Sequence, residues 1–185
     1  KPEGPFESTK NPIEGSYSMD PSVFKDDDGS YYMYLGGIWG GQLQRWDENG
    51  NYTEMGCETQ DNGIPNSPAI SPRIAKMSDD MISFAEELKP IRIVDNSGNP
   101  ILTKDYDRRF FEAAWIHKHN GTYYLSYSTG NTHYIVYATG DNPYGPFVYQ
   151  GILNEPVQGW TNHHSTVKID GKWYLFYHDV EMSGQ

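Results

Sequence analysis

The sequence predicts an all-β protein, a portion of a β-propeller built by radial repetition of similar hairpins. Three observations carry that expectation. Long helical patterns are missing, while aromatic residues reach 15% of the chain, fifteen of them Tyr, a composition that suits the pleated surface of strands. Three stretches carry the same kind of tight turn, Asp28-Gly29, Asn120-Gly121 and Asp170-Gly171, the dipeptides that two-residue hairpin loops select. These stretches also match in register: Asp20 and Glu112 each stand nine residues before their turn glycine, and His163 stands eight before Gly171.

The most informative stretch is Arg108 to Ser128, RRFFEAAWIHKHNGTYYLSYS. It reads as a buried strand, a turn at Asn120-Gly121 and a second strand. Glu112 is the lone carboxylate of its apolar run, and an ionisable group there costs several kcal/mol unless paired or protonated. Desolvation favours the neutral acid, the form from which a general acid donates. The alternative is a strand-end carboxylate paired with Arg108 or Arg109. The recurrence favours function, because radial repetition brings equivalent inner-strand positions to one axis. Asp20, Glu112 and His163 are therefore expected to meet.

Composition sets the bounds. At 185 residues the chain is most simply one domain, residues 1–185. A net charge of −11 argues against nucleic acid and against an anionic membrane surface, and it does not oppose a neutral sugar. With Cys57 the only cysteine, an intrachain disulfide and CxxC metal sites are excluded. No apolar run reaches membrane-spanning length and no secretory signal opens the chain.

In chain order, Gly4-Pro5-Phe6 recurs as Gly145-Pro146-Phe147, at similar distances before a hairpin, and predicts an outer strand leading into the next repeat. Pro21 opens the first hairpin at a strand start, where a missing N–H is tolerated. Asp26-Asp27-Asp28-Gly29 resembles an acidic calcium loop only superficially: its counterparts are plain turns, and the alternating ligand spacing is absent. Leu35 to Trp46, LGGIWGGQLQRW, places glycines for close backbone approach beside Trp39, a candidate for stacking on a sugar ring, and Trp46, expected to pack in the core. Residues 47–70 read as loop. ISPRIAKMS and SFAEELKPIRIV read as two strands joined by Ser78-Asp79-Asp80. Arg73, on the first of them, is a candidate substrate contact or a structural ion pair. A unit from about Phe110 to Leu153 holds four strands. The turn glycines lie 92 and 50 residues apart, and the second interval suits one propeller blade of roughly 40–50 residues.

The segments MDPSVFKDDDGSYYMYLGG, FFEAAWIHKHNGTYYLSYS, YATGDNPYGPFVYQGIL and TNHHSTVKIDGKWYLFYH resemble glycoside hydrolase family 43, five-bladed β-propeller enzymes acting on xylosides and arabinosides. The resemblance implies Glu112 as the general acid and Asp20 as the aspartate that orients it and tunes its pKa. His163 matches the histidine near the propeller axis, which in many members borders a calcium or water site. Calcium is thus the one cofactor the resemblance brings in, reached from His163 through water. Trp39, Trp115, His163 and Arg73 are the substrate-binding candidates. The general-base Asp of the family lies in a similar Asp-Pro motif ahead of the Gly-Pro-Phe strand, and no such motif precedes it here; the base is expected outside this sequence, with the first blade largely missing and the last ones cut short. The implied activity is inverting hydrolysis of xylan- or arabinoxylan-derived saccharides, of β-xylosidase or α-L-arabinofuranosidase type. A propeller that stacks sugars on Trp39, Trp115 or Trp160 without cleaving them is the competing class. Periplasmic or secreted placement suits polysaccharide degradation.

Overall fold

The computed structural model describes residues 3–54, 66–159 and 162–183; Cys57 and Trp160 lie outside them. Eleven strands occur among the described residues: β1 (Ser22–Lys25), β2 (Tyr31–Leu35), β3 (Arg73–Lys76), β4 (Lys89–Pro90), β5 (Ile93–Val94), β6 (Glu112–His119), β7 (Thr122–Ser128), β8 (Ile135–Gly140), β9 (Phe147–Asn154), β10 (His164–Ile169) and β11 (Lys172–Tyr177). They form three sheets, ordered β1-β2-β3-β4, β5-β9-β8-β7-β6 and β10-β11. Each sheet begins with one of the three predicted hairpins, closed by its Asx-Gly turn: Asn120 and Asp170 have φ +50° and +48°, followed by Gly121 and Gly171 at +82° and +80°. The entering strand of each hairpin lies beside its counterpart in the next, β1 against β6 and β6 against β10. The three sheets are therefore successive blades with β1, β6 and β10 innermost, a portion of a five-bladed β-propeller.

The core lies between the first and second blades, where Tyr34, Leu43, Ile74, Phe110, Leu125, Tyr127 and Phe147 are fully buried. Burying each such side chain is worth about 1.5–3 kcal/mol. The two buried phenols keep hydrogen-bond partners, as buried hydroxyls must. Tyr34 donates to the carbonyl of Pro143 at 2.8 Å, and Tyr127 to that of Arg108 at 2.6 Å.

Two expectations are corrected here. SFAEELKPIRIV is not one strand. Lys89–Pro90 closes the first blade against β3, while Ile93–Val94 crosses over and pairs in parallel with β9 of the second. Backbone contact with that side reaches one residue past Pro90, where Ile91 N–H donates to Pro72 O at 3.0 Å, and the chain then changes sheet. The first Gly-Pro-Phe copy forms no strand: Gly4 and Gly145 share a left-handed φ of +73° and +76°, but Phe6 is exposed. Phe147 enters β9 because β8 and β5 flank it; no strand among the described residues offers Phe6 the same.

Candidate active site

Asp20, Glu112 and His163 stand at the entrances to β1, β6 and β10, and the blades bring them together. One side-chain donor atom from each lies within 4.8 Å of the others. His163 Nε2 is 3.4 Å from Asp20 Oδ2 and 3.4 Å from Glu112 Oε1, a charge contact at the long end of hydrogen-bond distance. Glu112 is 5% exposed, whereas the His163 side chain is 40% exposed. The cluster is thus sealed behind Glu112 and open beside the histidine.

Local backbone geometry aims these groups. Glu112 pairs with Ser128 but Trp115 with Ser126, so β6 carries one extra residue between them. That bulge takes Ala113 to φ +61°, sparsely populated for a residue with a Cβ. Side chains alternate along a strand, so the extra residue places Glu112 on the same face as Trp115. That face looks towards the third blade: Ser126 Oγ meets His164 Nε2 at 2.6 Å, and Ser128 donates to the carbonyl of Asn162. Without the bulge Glu112 would share the face of Ile116, which lies in the core. Asp20 is also left-handed, at φ +58°.

The glycine-rich stretch packs against the residues that precede both carboxylates and, at Gly37, comes close to Glu112 Cβ. Gly36 N–H donates to Met19 O at 2.8 Å, and Ile38 N–H to Phe111 O at 2.9 Å. Ser18 Oγ accepts from Gly37 N–H at 2.9 Å. A Cβ on Gly37 would meet Met19 Cε at 2.5 Å and Glu112 Cβ at 3.4 Å, and one on Gly41 would meet Ser18 Oγ at 2.7 Å. Close approach is the reason for glycine at these two positions. Trp39 follows directly, partly exposed and edge-on to Phe111 at 5.7 Å, one residue from the Ile38–Phe111 bond that ties the stretch to the strand of Glu112.

Burial raises Asp20 above the ordinary carboxylate range; His163 and the Ala113 amide oppose that shift and Glu112 adds to it. Its Oδ2 receives no hydrogen bond. Contact with Glu112, supported by the charge of Asp20, raises the His163 ring above its ordinary value despite burial. Below that raised value the ring carries a positive charge facing Asp20 and Glu112, and that charge is lost as pH climbs through it.

Arg73 and Trp115 have their polar groups engaged within the protein. Arg73 is 4% exposed and its guanidinium donates to Ser71 O at 2.6 Å, Tyr17 Oη at 3.3 Å and Trp46 O at 3.4 Å; these bonds hold loops together, the structural one of its two expected roles, though through carbonyl and hydroxyl acceptors and not an ion pair. Trp115 donates its indole N–H to Thr166 O at 3.1 Å, which ties β6 to β10. Trp46 does pack, stacked on Tyr17 at 4.3 Å. Three contributors were not anticipated. His178 Nδ1 accepts from the backbone N–H of His163 at 3.3 Å, Met19 sets the fit of the glycines, and Ser22 reaches across to β6. His178 ends the YLFYH segment and Ser22 belongs to the Asp-Pro-Ser motif after Asp20; Met19 carried no signal.

A propeller face with a carboxylate pair on its axis is the class that fold and site define. The pattern of Glycosyl hydrolases family 43 matches residues 1–185, and the chain belongs to that family. It is 56% identical to "Xylosidase/arabinosidase 43A" of Humicola insolens, covering 99% of this chain and 57% of that protein. It is also 56% identical to "Beta-xylosidase" of Xylanibacter ruminicola, covering 97% and 54%. Among solved structures, a GH43 beta-xylosidase/alpha-arabinofuranosidase from a compost microbial metagenome, in complex with xylotriose and described as a calcium-free form, superposes with a TM-score of 0.95 at 68% identity, over 100% of this chain and 56% of that one. The Xanthomonas citri GH43_1 enzyme complexed with xylose gives 0.93 at 52%, over 100% and 54%. The chain thus spans little more than half the length of these relatives.

Proposed function

We propose that the full-length protein hydrolyses O-glycosidic bonds in xylose- or arabinose-containing oligosaccharides and polysaccharides by an inverting acid/base mechanism, as a β-xylosidase, with α-L-arabinofuranosidase action as the alternative. The observation that carries this reading is the buried Glu112 held against Asp20 and His163 at one focus. Glu112 acts as general acid and protonates the departing glycosidic oxygen while water attacks the anomeric carbon from the opposite face. Asp20 orients it, and like-charge contact disfavours the state in which both are ionised. Asp20 is not the base. An inverting pair stands roughly 6.5–9.5 Å apart to admit the water, and the Asp20 and Glu112 donor atoms lie within 4.8 Å. Among the described residues no third carboxylate joins the cluster. Trp39 is the sugar platform, and His163 faces the open side as a substrate contact.

Calcium takes six to eight oxygen ligands, and two carboxylates with one ring nitrogen do not make that cage. Those residues do not fit calcium as a directly bound ion, and only a water-mediated contact at His163 is left to it; no step is routed through it. Periplasmic or secreted placement fits a polysaccharide-derived substrate.

The test is Glu112→Gln in the full-length protein. Turnover of unactivated xylosides should collapse, while aryl xylosides with good leaving groups, which need little protonation, should be far less affected. Equal loss on both would show that Glu112 is not the acid.

A further inference from the structure

The side chain of Ser22 is buried, and its hydroxyl donates to the carbonyl of Ala114 at 2.7 Å, across 92 residues of sequence. Ser22 is two residues from Asp20 and Ala114 two from Glu112, so this one bond links the strands that carry the two carboxylates. It also falls inside the bulge. Ala113, at φ +61°, lies between Glu112 and the carbonyl that Ser22 holds. A β-bulge re-aims the side chains next to it, and this one sets which face of β6 carries Glu112. Backbone in a sparsely populated region persists only where its surroundings fix it.

We infer that Ser22 is a positioning residue: its hydroxyl locks the β6 bulge and thereby sets the direction of the Glu112 carboxylate towards Asp20 and His163. The inference rests on the proposed acid role of Glu112 for its catalytic consequence, though not for its geometric one. Asp20 and Glu112 are brought together by two strands; Lys118–Asp26 ties their far ends and the Ala113 amide acts on the Asp20 carboxylate, while Ser22–Ala114 is the buried hydroxyl–carbonyl bond at the bulge itself. Removing the hydroxyl leaves the carbonyl without that donor and releases the bulge to relax towards regular pairing, which turns Glu112 away from the focus. The effect should resemble a small misplacement of the acid.

The experiment compares Ser22→Ala and Ser22→Thr with the parent in the full-length protein, in metal-free buffer. One readout is steady-state kinetics on xylobiose and on an aryl xyloside with a good leaving group. The other is the NMR titration of the His163 ring, which does not depend on turnover. For Ser22→Ala we expect kcat on xylobiose to fall about 10- to 100-fold with little change in KM, the scale of an ångström-sized misplacement. The activated substrate should lose much less, and the His163 ring should titrate closer to an ordinary histidine as Glu112 leaves it. Ser22→Thr, which keeps the hydroxyl, should restore both. Parent-like kinetics together with an unchanged His163 titration in Ser22→Ala would overturn the inference. So would equal losses on both substrates with that titration unchanged, since these would mark general destabilisation. If the parent itself cleaves no xyloside, the proposed function fails, and the ring titration alone decides whether Ser22 positions Glu112.

Discussion

Strand β1 is flanked by two aspartates, Asp20 before it and Asp26 after it, and both face groups on the second blade. Their surroundings are opposite. Asp26 receives a hydrogen bond from Lys118 Nζ at 2.7 Å and from the Tyr123 hydroxyl at 2.5 Å. Burial would raise its pKa, but those bonds outweigh it and hold the carboxyl below its ordinary range. Asp20 has a carboxylate oxygen with no hydrogen bond, a second carboxylate beside it and a pKa pushed up. One end of the strand satisfies its charge and clamps two blades. The other leaves its charge poorly satisfied, which is how acids are poised at functional sites. Charge count alone does not separate the two: the run Asp26–Asp28 is the more acidic stretch, and it is the structural one.

The largest expected effect breaks the functional end. Glu112→Gln should lower kcat on xylobiose by about 10²–10⁴-fold, the usual contribution of general acid catalysis, with a thermal midpoint close to the parent's. A loss of folding comparable to the loss of rate would make Glu112 a structural residue like Asp26.

The structural end should break differently. Asp26→Asn should cost about 2 kcal/mol of stability, the scale of hydrogen bonds to a charged group, with kcat nearly unchanged. The sign of the pH dependence follows from the depressed pKa. The contribution of Asp26 is fully present above the unfolded value near 3.8 and is lost as pH falls through the lower folded value. Chemical denaturation at several pH values, comparing parent with variant, checks this; the difference should shrink only in strong acid.

A smaller effect sharpens the comparison at the glycine-rich wall of the site. Gly37→Ala should reduce kcat by up to about tenfold, because its Cβ would push aside Met19, the residue beside Asp20. Met19→Ala in the same protein should recover most of the loss, a coupling that double-mutant kinetics reads directly. If the double variant is no better than the single one, the crowding acts elsewhere.

Much of this site was legible before any coordinates, for a specific reason. Asp20, Glu112 and His163 were found by their offsets to turn glycines, and strand register carries an offset faithfully into space. The four strands from Phe110 to Leu153 followed from the same regularity. What the local pattern does not show is tertiary contact. Arg73 and Trp115 have the chemistry of sugar-binding residues, but neighbouring loops and β10 consume their polar groups. Asp26 finds Lys118 and Tyr123 across 92 and 97 residues, a separation no local pattern encodes. The bulge at Ala113 was invisible as well, since alanine carries no sign of a left-handed backbone. His178, by contrast, was visible and passed over, because it closes the third hairpin at its far strand and not at its entrance.

The central claim is that the two ends of β1 are built for different purposes, and one measurement tests it most directly. The unfolding free energies of Asp20→Asn and Asp26→Asn should be measured side by side with the parent at pH 7 in the full-length protein. A raised folded pKa means that the charged form of Asp20 is disfavoured by the fold at neutral pH, a cost that protonation at lower pH relieves. Neutralising Asp20 should therefore leave stability unchanged or raise it by up to about 1 kcal/mol, while neutralising Asp26 lowers it. Loss of stability in both variants would contradict the account, because it would make Asp20 a second clamp.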